Sequence, residues 1–399
     1  MFTKTQIERY ADVLLWGLET ARTESYHKGD IVAVNFDLAA MKLAEALHVK
    51  LLDKKMNPVV RLSLTSVMEH NLFRHGSMEQ IVFVPPGEEK LTRNLNGSIH
   101  LRAPASITHL KDVDPKAIGK RLVSRKPLRD ILNKREEAGL YGWTLCTFTT
   151  EELAKKAGMT VKEYTNQIIR ACYLDKSDPV REWRSIHENA VSIKEWLNSM
   201  RAKAFHVESE HIDLYIVPGE RRKWAGVSGH NIPSFELFIS PDWRGTEGIY
   251  YADQPSFRSG NYVEGVRLTF VKGEAVKITA KKGEQFLVKQ LGLDQGASRV
   301  GEFSLTDKRF SRINRFMADT LFDENFGGPY GNCHIAVGAS YSDTYDEDPA
   351  ELTTEMKEKL GFNDSALHWD LVNTGKKRVT ALFAGGGKQV VYEDGIFLY

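Results

Sequence analysis

The spacing of hydrophobic positions changes once along the chain, and the change predicts two kinds of structure. In the first part, stretches with helical spacing alternate with short apolar runs that read as strands. The helical stretches are residues 6–25 and 38–52, and the apolar runs are residues 30–34, 59–64, 80–84, 99–102 and 140–147. Strands that alternate with helices are typical of a mainly parallel sheet covered on both faces. We therefore expect an α/β domain over residues 1–180.

The later part of the chain predicts an α+β domain with antiparallel sheet. An amphipathic stretch over residues 178–202 predicts a connecting helix between the two domains. Beyond it, two pairs of alternating segments flank Lys272-Gly273 and Gly385-Gly386-Gly387, and such pairs indicate β-hairpins. Helices are expected over residues 284–291, 309–320 and 351–360. The second domain is expected to span residues 203–399.

Composition excludes several classes of partner. The 399 residues exceed the usual size of one hydrophobic core, which agrees with two domains. With 54 basic and 53 acidic side chains, the net charge of +1 gives no electrostatic footprint for nucleic acid or an anionic membrane. Three cysteines are too few for a disulfide framework, and no apolar run approaches the ~20 residues of a membrane span. We expect a soluble, cytoplasmic protein.

Candidate metal ligands interrupt apolar segments of the second domain. A charged group in such a segment is costly unless a cation or a hydrogen-bonding partner offsets its desolvation. His368 and Asp370 flank Trp369 in a strand-like run, so a period of two puts imidazole and carboxylate on one face. Mixed oxygen and nitrogen ligands of this kind suit zinc, manganese or cobalt. The six candidates are Glu236, Glu302, His334, Tyr341, His368 and Asp370.

Other interpretations of these residues stay open at this point. Taken singly, a buried glutamate is more often salt-bridged or capping a turn, and a buried histidine is more often hydrogen-bonded in the core than a ligand. A second polar cluster, His206, Glu208 and Glu210, alternates in a mostly polar segment and is typical of a solvated strand edge. Cys333 is expected to be a buried thiol, because neighbouring strand residues point to opposite faces.

Rival functions follow from the same residues. A different metal-dependent amidase or esterase would use the same ligands, and a non-enzymatic α/β binding module would use the carboxylates only structurally. A nicotinamide oxidoreductase ranks last, because the first domain contains no GxGxxG. The Gly385-Gly386-Gly387-Lys388 run lacks the Ser or Thr and the strand–helix context of a phosphate loop, and it is interpreted as a turn.

Several sequence blocks around the candidates resemble the M29 family of metallo-aminopeptidases, the group of aminopeptidases T and S. The resemblance is nearly full-length. The matching blocks are residues 231–241 (NIPSFELFISP), 246–248 (TEG), 301–303 (GEF), 321–325 (LFDEN), 333–338 (CHIAVG), Tyr341 and 363–370 (NDSALHWD).

The resemblance implies a ligand set of Glu236, Glu302, His334, His368 and Asp370. Five ligands exceed what one four-coordinate metal with an open position requires, so they fit two divalent ions that share a carboxylate. The candidate ions are zinc, cobalt, manganese and magnesium. Glu302 is the expected shared ligand, and in such sites a bridging hydroxide attacks the peptide carbonyl.

Tyr341 is a further expected active-site contact, which could hydrogen-bond the developing oxyanion. Strict alternation from His334 turns Tyr341 to the opposite face, so the chain is expected to bend at residues 338–340. The resemblance also implies a homodimer that releases N-terminal residues from short peptides with a free N-terminus. Residues 326–332 lengthen the usual link to the block around His334, which predicts a reshaped pocket rim.

Overall fold

A computed structural model describes the whole chain from Met1 to Tyr399. The α-helices are α1 (Lys4–Thr20), α2 (Met41–Asp53), α3 (Ser66–His75), α4 (Met78–Val82), α5 (Glu88–Asn94), α6 (Pro115–Glu137), α7 (Glu151–Lys156), α8 (Val161–Ala171), α9 (Pro179–Ser199), α10 (Glu284–Leu291), α11 (Thr320–Asp323) and α12 (Thr354–Leu360). The strands are β1 (Ile31–Phe36), β2 (Asn57–Leu62), β3 (Gly97–Arg102), β4 (Gly142–Thr147), β5 (Ala204–Ser209), β6 (Asp213–Ile216), β7 (Asn231–Ile232), β8 (Glu236–Ile239), β9 (Glu247–Tyr251), β10 (Ser256–Arg258), β11 (Asn261–Val263), β12 (Arg267–Val271), β13 (Glu274–Thr279), β14 (Val300–Thr306), β15 (Asn332–Gly338), β16 (His368–Asn373), β17 (Lys377–Leu382), β18 (Lys388–Glu393) and β19 (Ile396–Phe397).

The chain divides into two compact units, and the division falls inside helix α9. The first unit comprises Met1–His187, Val227–Ser234 and Met317–Leu321. The second unit comprises Glu188–Gly226, Phe235–Phe316 and Phe322–Tyr399. The expected domains, residues 1–180 and 203–399, stay a prediction. The division by contacts differs from them because two later segments of the chain, Val227–Ser234 and Met317–Leu321, belong to the first unit. No helix has both the length and the apolar character needed to cross a membrane.

The first unit is built on a five-stranded sheet with the order β2-β1-β3-β4-β7. Every neighbouring pair in this sheet is parallel. Apolar residues of β1 and of helix α1 are fully buried, among them Val34 and Leu14. The α/β fold with a mainly parallel sheet, predicted from alternating helical and strand-like spacing, is confirmed.

The second unit contains an eight-stranded sheet, with the order β13-β12-β9-β6-β5-β17-β18-β19, and a four-stranded sheet, with the order β16-β15-β14-β8. All pairs in both sheets are antiparallel. The two sheets face each other: the ring of Phe303 lies 6.4 Å from that of Phe205, and the hydroxyl of Tyr250 donates to the carbonyl oxygen of Leu371 at 2.7 Å. Both predicted hairpins are present. The face of the four-stranded sheet that carries Phe303 therefore packs in a hydrophobic core.

Three local predictions were wrong. Residues 80–84 were expected to form a strand, but helix α4 occupies Met78–Val82. A capping box explains this, because the hydroxyl of Ser77 accepts from the backbone of Gln80 while the Gln80 side chain accepts from the backbone of Ser77. The strand that carries His206 was expected at a sheet edge, but β5 lies between β6 and β17, and only its polar face is solvated.

Residues 309–320 were expected to be helical, but no helix forms until α11 begins at Thr320. Side chains hold this segment in a non-helical path. The carboxylate of Asp307 accepts from the backbone and the guanidinium of Arg309, and the hydroxyl of Ser311 donates to the carbonyl oxygen of Asn325. Such local bonds compete directly with helical hydrogen bonding.

Helix α1 approaches the backbone of residue 229 so closely that glycine is required on both sides. A Cβ atom on Gly17 would lie 2.7 Å from the carbonyl oxygen of Gly229 and 2.9 Å from the hydroxyl oxygen of Thr144. Gly229 itself has a φ of 88°, a conformation that favours glycine. The contact anchors α1 against the end of the parallel sheet.

We expect the substitution Gly17→Ala to destabilise the protein by about 1–3 kcal/mol through overpacking. This loss outweighs the ~1 kcal/mol that alanine gains over glycine inside a helix. Thermal unfolding measures the effect. Gly385→Ala is the matched control, because a Cβ atom there meets nothing within 4 Å, and it should leave the unfolding temperature unchanged. Equal unfolding temperatures for Gly17→Ala and the wild type would contradict the packing argument.

Candidate metal centre

Strand register puts five of the six candidate ligands on one face of the four-stranded sheet. Glu302 on β14 is paired with Ala336 on β15, and Ala336 is paired with Asp370 on β16. His334 precedes Ala336 by two residues, and His368 precedes Asp370 by two, so alternation gives them the same orientation. The small side chain of Ala336 lies at the centre of this group and leaves space between the ligands.

Glu236 joins the group from the opposite edge of the sheet. It begins β8, where its register partner on β14 is Thr306. Its carboxylate is buried, and its Oε2 atom lies 3.3 Å from Nε2 of His334. The hydroxyl of Ser304 donates to the same Oε2 atom at 3.1 Å. Glu236 and His334 thus meet across the face of β14.

Glu302 links two groups of ligands. Its Oε1 atom lies 3.1 Å from Nε2 of His334, and its Oε2 atom lies 3.5 Å from Nε2 of His368. Asp370 completes the second group, with Oδ1 3.3 Å from Nε2 of His368. Ligand atoms converge in two sets, Glu236–Glu302–His334 and Glu302–His368–Asp370, each within 4.8 Å. The two sets, each of which could hold a cation, have the Glu302 carboxylate in common.

The three buried carboxylates and two imidazoles of this cluster shift one another's pKa values when no cation is bound. Burial, and then the neighbouring carboxylates Glu302 and Asp370, raise the pKa of Glu236 to about 8. Burial alone would lower the pKa of His334, but the carboxylates around it outweigh burial and raise this pKa to about 9. Burial also opposes ionisation of Asp370, yet His368 beside it holds the pKa of Asp370 well below its usual range.

The donor set fits divalent cations. Nδ1 of His368 donates to the carbonyl oxygen of Ala339 at 2.8 Å, so the lone pair of Nε2 points into the cluster. A hydrogen bond of this kind fixes the tautomer and orientation of metal-binding histidines. Three carboxylates and two imidazoles supply the hard and borderline donors that zinc, cobalt and manganese use.

Tyr341 reaches the same site from a loop. Strand β15 ends at Gly338, whose φ is 108°, and the chain turns there as the alternation argument predicted. The backbone N–H of Tyr341 donates to the hydroxyl of buried Ser240 at 2.8 Å. The ring lies 4.7 Å from that of His368. The residue as a whole is 37% exposed, but the surroundings of its hydroxyl are buried, and this burial, followed by the charges of Glu302 and Asp370, raises the pKa of the phenol. The phenol therefore stays protonated and can donate a hydrogen bond.

The competing clusters do not form sites. His206 bonds to Asp213 at 2.8 Å on the eight-stranded sheet. Cys333 is buried on the core face, and burial raises the pKa of its thiol to about 11. The triple-glycine run, residues 385–387, is the turn between β17 and β18. Each of these interpretations agrees with the sequence analysis, apart from the edge position expected for β5.

Sequence reasoning missed several residues near the ligands. Ser304 follows Glu302 by two positions, a signal of a shared face that strand alternation alone could have given. Glu324 is buried, and its negative charge contributes to the raised pKa of Tyr341. Arg258 contributes positive charge at Asp370. Glu324 belongs to the block at residues 321–325 that resembles the family, but no spacing in the sequence relates either Glu324 or Arg258 to the ligands.

Comparison with known proteins agrees with this geometry. Aminopeptidase PepS of Streptococcus thermophilus is 25% identical, over 98% of each chain. Aminopeptidase T of Thermus thermophilus is 29% identical, over 63% of this chain and 64% of the relative. A solved structure of wild-type AmpT from Thermus thermophilus has a TM-score of 0.79 and 22% identity, and covers 99% of this chain and 100% of that one. This structural likeness shows a common fold.

The family assignment rests on the whole length of the chain. The profile of the thermophilic metalloprotease (M29) family matches residues 3–397, which include all six candidate residues. The resemblance drawn from short blocks around the ligands is therefore confirmed. The chain belongs to the thermophilic metalloprotease (M29) family.

Proposed function

We propose that this protein is a metal-dependent aminopeptidase that uses two divalent ions. Membership of a metalloprotease family and the aminopeptidase names of its relatives support the reaction class. The observation that carries the two-ion proposal is the position of Glu302 between His334 and His368, in both sets of converging ligand atoms. Glu302 would be the shared ligand, Glu236 and His334 would help to hold one ion, and His368 and Asp370 would help to hold the other.

Bound divalent ions would supply Lewis acidity, which polarises a carbonyl oxygen and lowers the pKa of water. Hydrogen bonds within the protein orient the ligand side chains. Ser304 holds the Glu236 carboxylate, and the carbonyl oxygen of Ala339 holds the His368 ring. Tyr341 supplies a protonated phenol beside His368, and a hydrogen bond from it would stabilise the oxyanion that develops on the scissile carbonyl. Loss of one such donor typically costs ~2.7–4 kcal/mol in catalysis.

The substrates that suit this site are short peptides with a free N-terminus. A neutral amine can serve as a metal ligand, so ions held by these residues would supply positive charge for both the amine and the carbonyl oxygen of the substrate. Recognition of the free amine would confine cleavage to the first residue. The identity of the metal, a homodimeric assembly and a cytoplasmic location remain predictions, which metal reloading, sedimentation and cell fractionation test respectively.

Metal uptake by the bare cluster at pH 7 should release protons. Because pH 7 lies below the raised pKa values of Glu236 (about 8) and His334 (about 9), both groups carry protons without metal and must lose them to bind it. Affinity should therefore fall as the pH falls. Calorimetric zinc titration in two buffers of different ionisation enthalpy measures the release. Identical heats in both buffers would mean that no proton leaves, contrary to this expectation.

Replacing Glu302 with Gln should lower hydrolysis at least about 100-fold and reduce the metal content per chain. The change conserves volume but removes the charge shared by two cations, and even loss of residues that merely orient ligands costs up to ~100-fold. Leucyl-anilide turnover and elemental analysis provide the two readouts. Glu210→Gln is the control, because its side chain is 88% exposed. Wild-type turnover with full metal content in Glu302→Gln would show a structural role for Glu302.

The free amine should be essential in the substrate. Acetylation removes most of the donor ability of the nitrogen and adds bulk where the first residue must bind. We expect leucyl-anilide to be cleaved and N-acetyl-leucyl-anilide to be resistant, with activity restored to the metal-free enzyme by at least one of zinc, cobalt, manganese and magnesium. Equal rates on the two anilides would favour a general amidase or esterase with the same metal ligands.

A further inference from the structure

Two side chains outside both ligand sets contact Tyr341 from the chain segment that carries Glu236. Phe238 follows Glu236 by two residues on β8, so its ring lies on the ligand face of the sheet. The centre of this ring lies 5.9 Å from that of the Tyr341 ring, with an angle of 66° between the two planes. Two residues further on, the hydroxyl of Ser240 accepts from the backbone N–H of Tyr341 at 2.8 Å. Alternate positions of one segment therefore supply a candidate metal ligand, a ring contact and a backbone contact.

Hydrogen bonds hold the main chain around Tyr341. Besides the bond to Ser240, the hydroxyl of Thr344 donates to the carbonyl oxygen of Tyr341 at 2.8 Å. The backbone N–H of Ser340 donates to the carbonyl oxygen of Asn363 at 2.8 Å, and the hydroxyl of Ser340 accepts from the backbone N–H of Asn363 at 2.9 Å. These bonds fix the point from which the Tyr341 side chain starts, but not the direction in which its hydroxyl points.

Neighbouring rings restrict that direction. The Tyr341 ring lies against His368 at 4.7 Å and against Phe238 at 5.9 Å, both within the usual spacing of aromatic pairs. Phe238 is itself firmly held: it is 9% exposed, and its backbone exchanges two hydrogen bonds with that of Ala225. Because Phe238 is not a candidate metal ligand, its contact with Tyr341 does not depend on a bound cation.

The direction of the phenol decides whether it can act in catalysis. A donor stabilises an oxyanion only when it lies within hydrogen-bonding distance of the position where the charge develops. A displacement of about 1 Å caused by a change elsewhere can cost roughly 100-fold in rate. Residues that touch no substrate but fix the Tyr341 ring therefore affect turnover through that ring.

We propose that Phe238 and Ser240 are positioning residues, which hold Tyr341 so that its phenol donates to the oxyanion that develops on the substrate. This inference rests on the proposed aminopeptidase function. The competing role for both residues is packing within the second unit. That role would change stability, and any effect on turnover would be the same with and without the hydroxyl of Tyr341.

The kinetic test is a double-mutant cycle with leucyl-anilide. Tyr341→Phe should lower kcat about 100- to 1,000-fold, as loss of an oxyanion donor does. Phe238→Leu and Ser240→Ala should each lower kcat about 3- to 10-fold, as expected for a lost aromatic pair or hydrogen bond. In the Tyr341→Phe background, the same two changes should alter kcat by less than about twofold, because the group they position is absent. KM should stay within about twofold throughout.

Fluorine NMR of the metal-free protein labelled with fluorotyrosine gives a readout that needs no turnover. The resonance of Tyr341 is identified by its absence in Tyr341→Phe. It should shift in Phe238→Leu and in Ser240→Ala. Phe270→Leu is the matched control, because it shortens a buried phenylalanine of β12, in the other sheet. It should lower the unfolding temperature but change neither the Tyr341 resonance nor kcat.

An unshifted Tyr341 resonance, an unchanged kcat, a fall in metal content, or an equal loss of kcat with and without the Tyr341 hydroxyl would overturn the inference. Ser240→Ala decides the question if Phe238→Leu does not fold. Failure of the wild type to cleave leucyl-anilide would be a different result, because it would overturn the proposed function and the inference with it. Cleavage by the wild type with no coupling in the cycle would overturn the inference alone.

Discussion

Buried negative charge is the constraint on which the catalytic unit depends. Carboxylate oxygens of Glu236, Glu302 and Asp370 lie within 4.0 Å of one imidazole nitrogen, that of His334. Charges of one sign at such spacing destabilise a fold unless protons or cations offset them, since the desolvation penalty alone amounts to several kcal/mol per ion. Burial, together with the charges of Glu302 and Asp370, raises the pKa of Glu236 to about 8, so this carboxyl group holds a proton at pH 7 when no cation is bound. A bound cation offsets the same charges while keeping the carboxylates ionised.

The four-stranded sheet can carry this many charged groups because one of its faces packs in the hydrophobic core while the other face carries the ligands. Phe303 and Cys333 face the hydrophobic core, while the residues between and beside them along β14 and β15 face the ligands. Core packing therefore fixes the strand backbones, and the strand backbones fix the ligands. A site mounted on four adjacent strands has less positional freedom than one mounted on loops, and metal coordination benefits from that rigidity.

Much of this could be predicted from the sequence, and the reasons are specific. A glutamate or histidine in an apolar strand is a visible anomaly, so Glu236 and His334 stood out, and alternation alone related His368 to Asp370. Alternation also predicted the bend before Tyr341. The predictions that failed depended on side-chain contacts, which the pattern of apolar residues does not reveal. The capping box at Ser77 overrode a strand-like apolar run in α4, and the bonds from Asp307 and Ser311 prevented a helix over residues 309–320.

Pairing between distant segments was equally invisible in the sequence. The role of Glu302 as the residue common to both ligand sets depends on register across β14, β15 and β16, which no local pattern encodes. Arg258 lies more than 100 residues before Asp370, and only the path of residues 254–258 along β16 relates the two.

The two-faced strands also restrict where the family can gain or lose residues. Because strand side chains alternate, inserting one residue within β15 would exchange the ligand face and the core face over the rest of that strand. Insertions are therefore confined to connections. Residues 326–332, which are expected to lengthen the link before β15, end where that strand begins, at Asn332. The side-chain amide of Asn332 donates back to the carbonyl oxygen of Phe326 at 2.7 Å. That bond closes the segment into a loop before the strand starts, so a change in the length of the loop need not shift the register of His334.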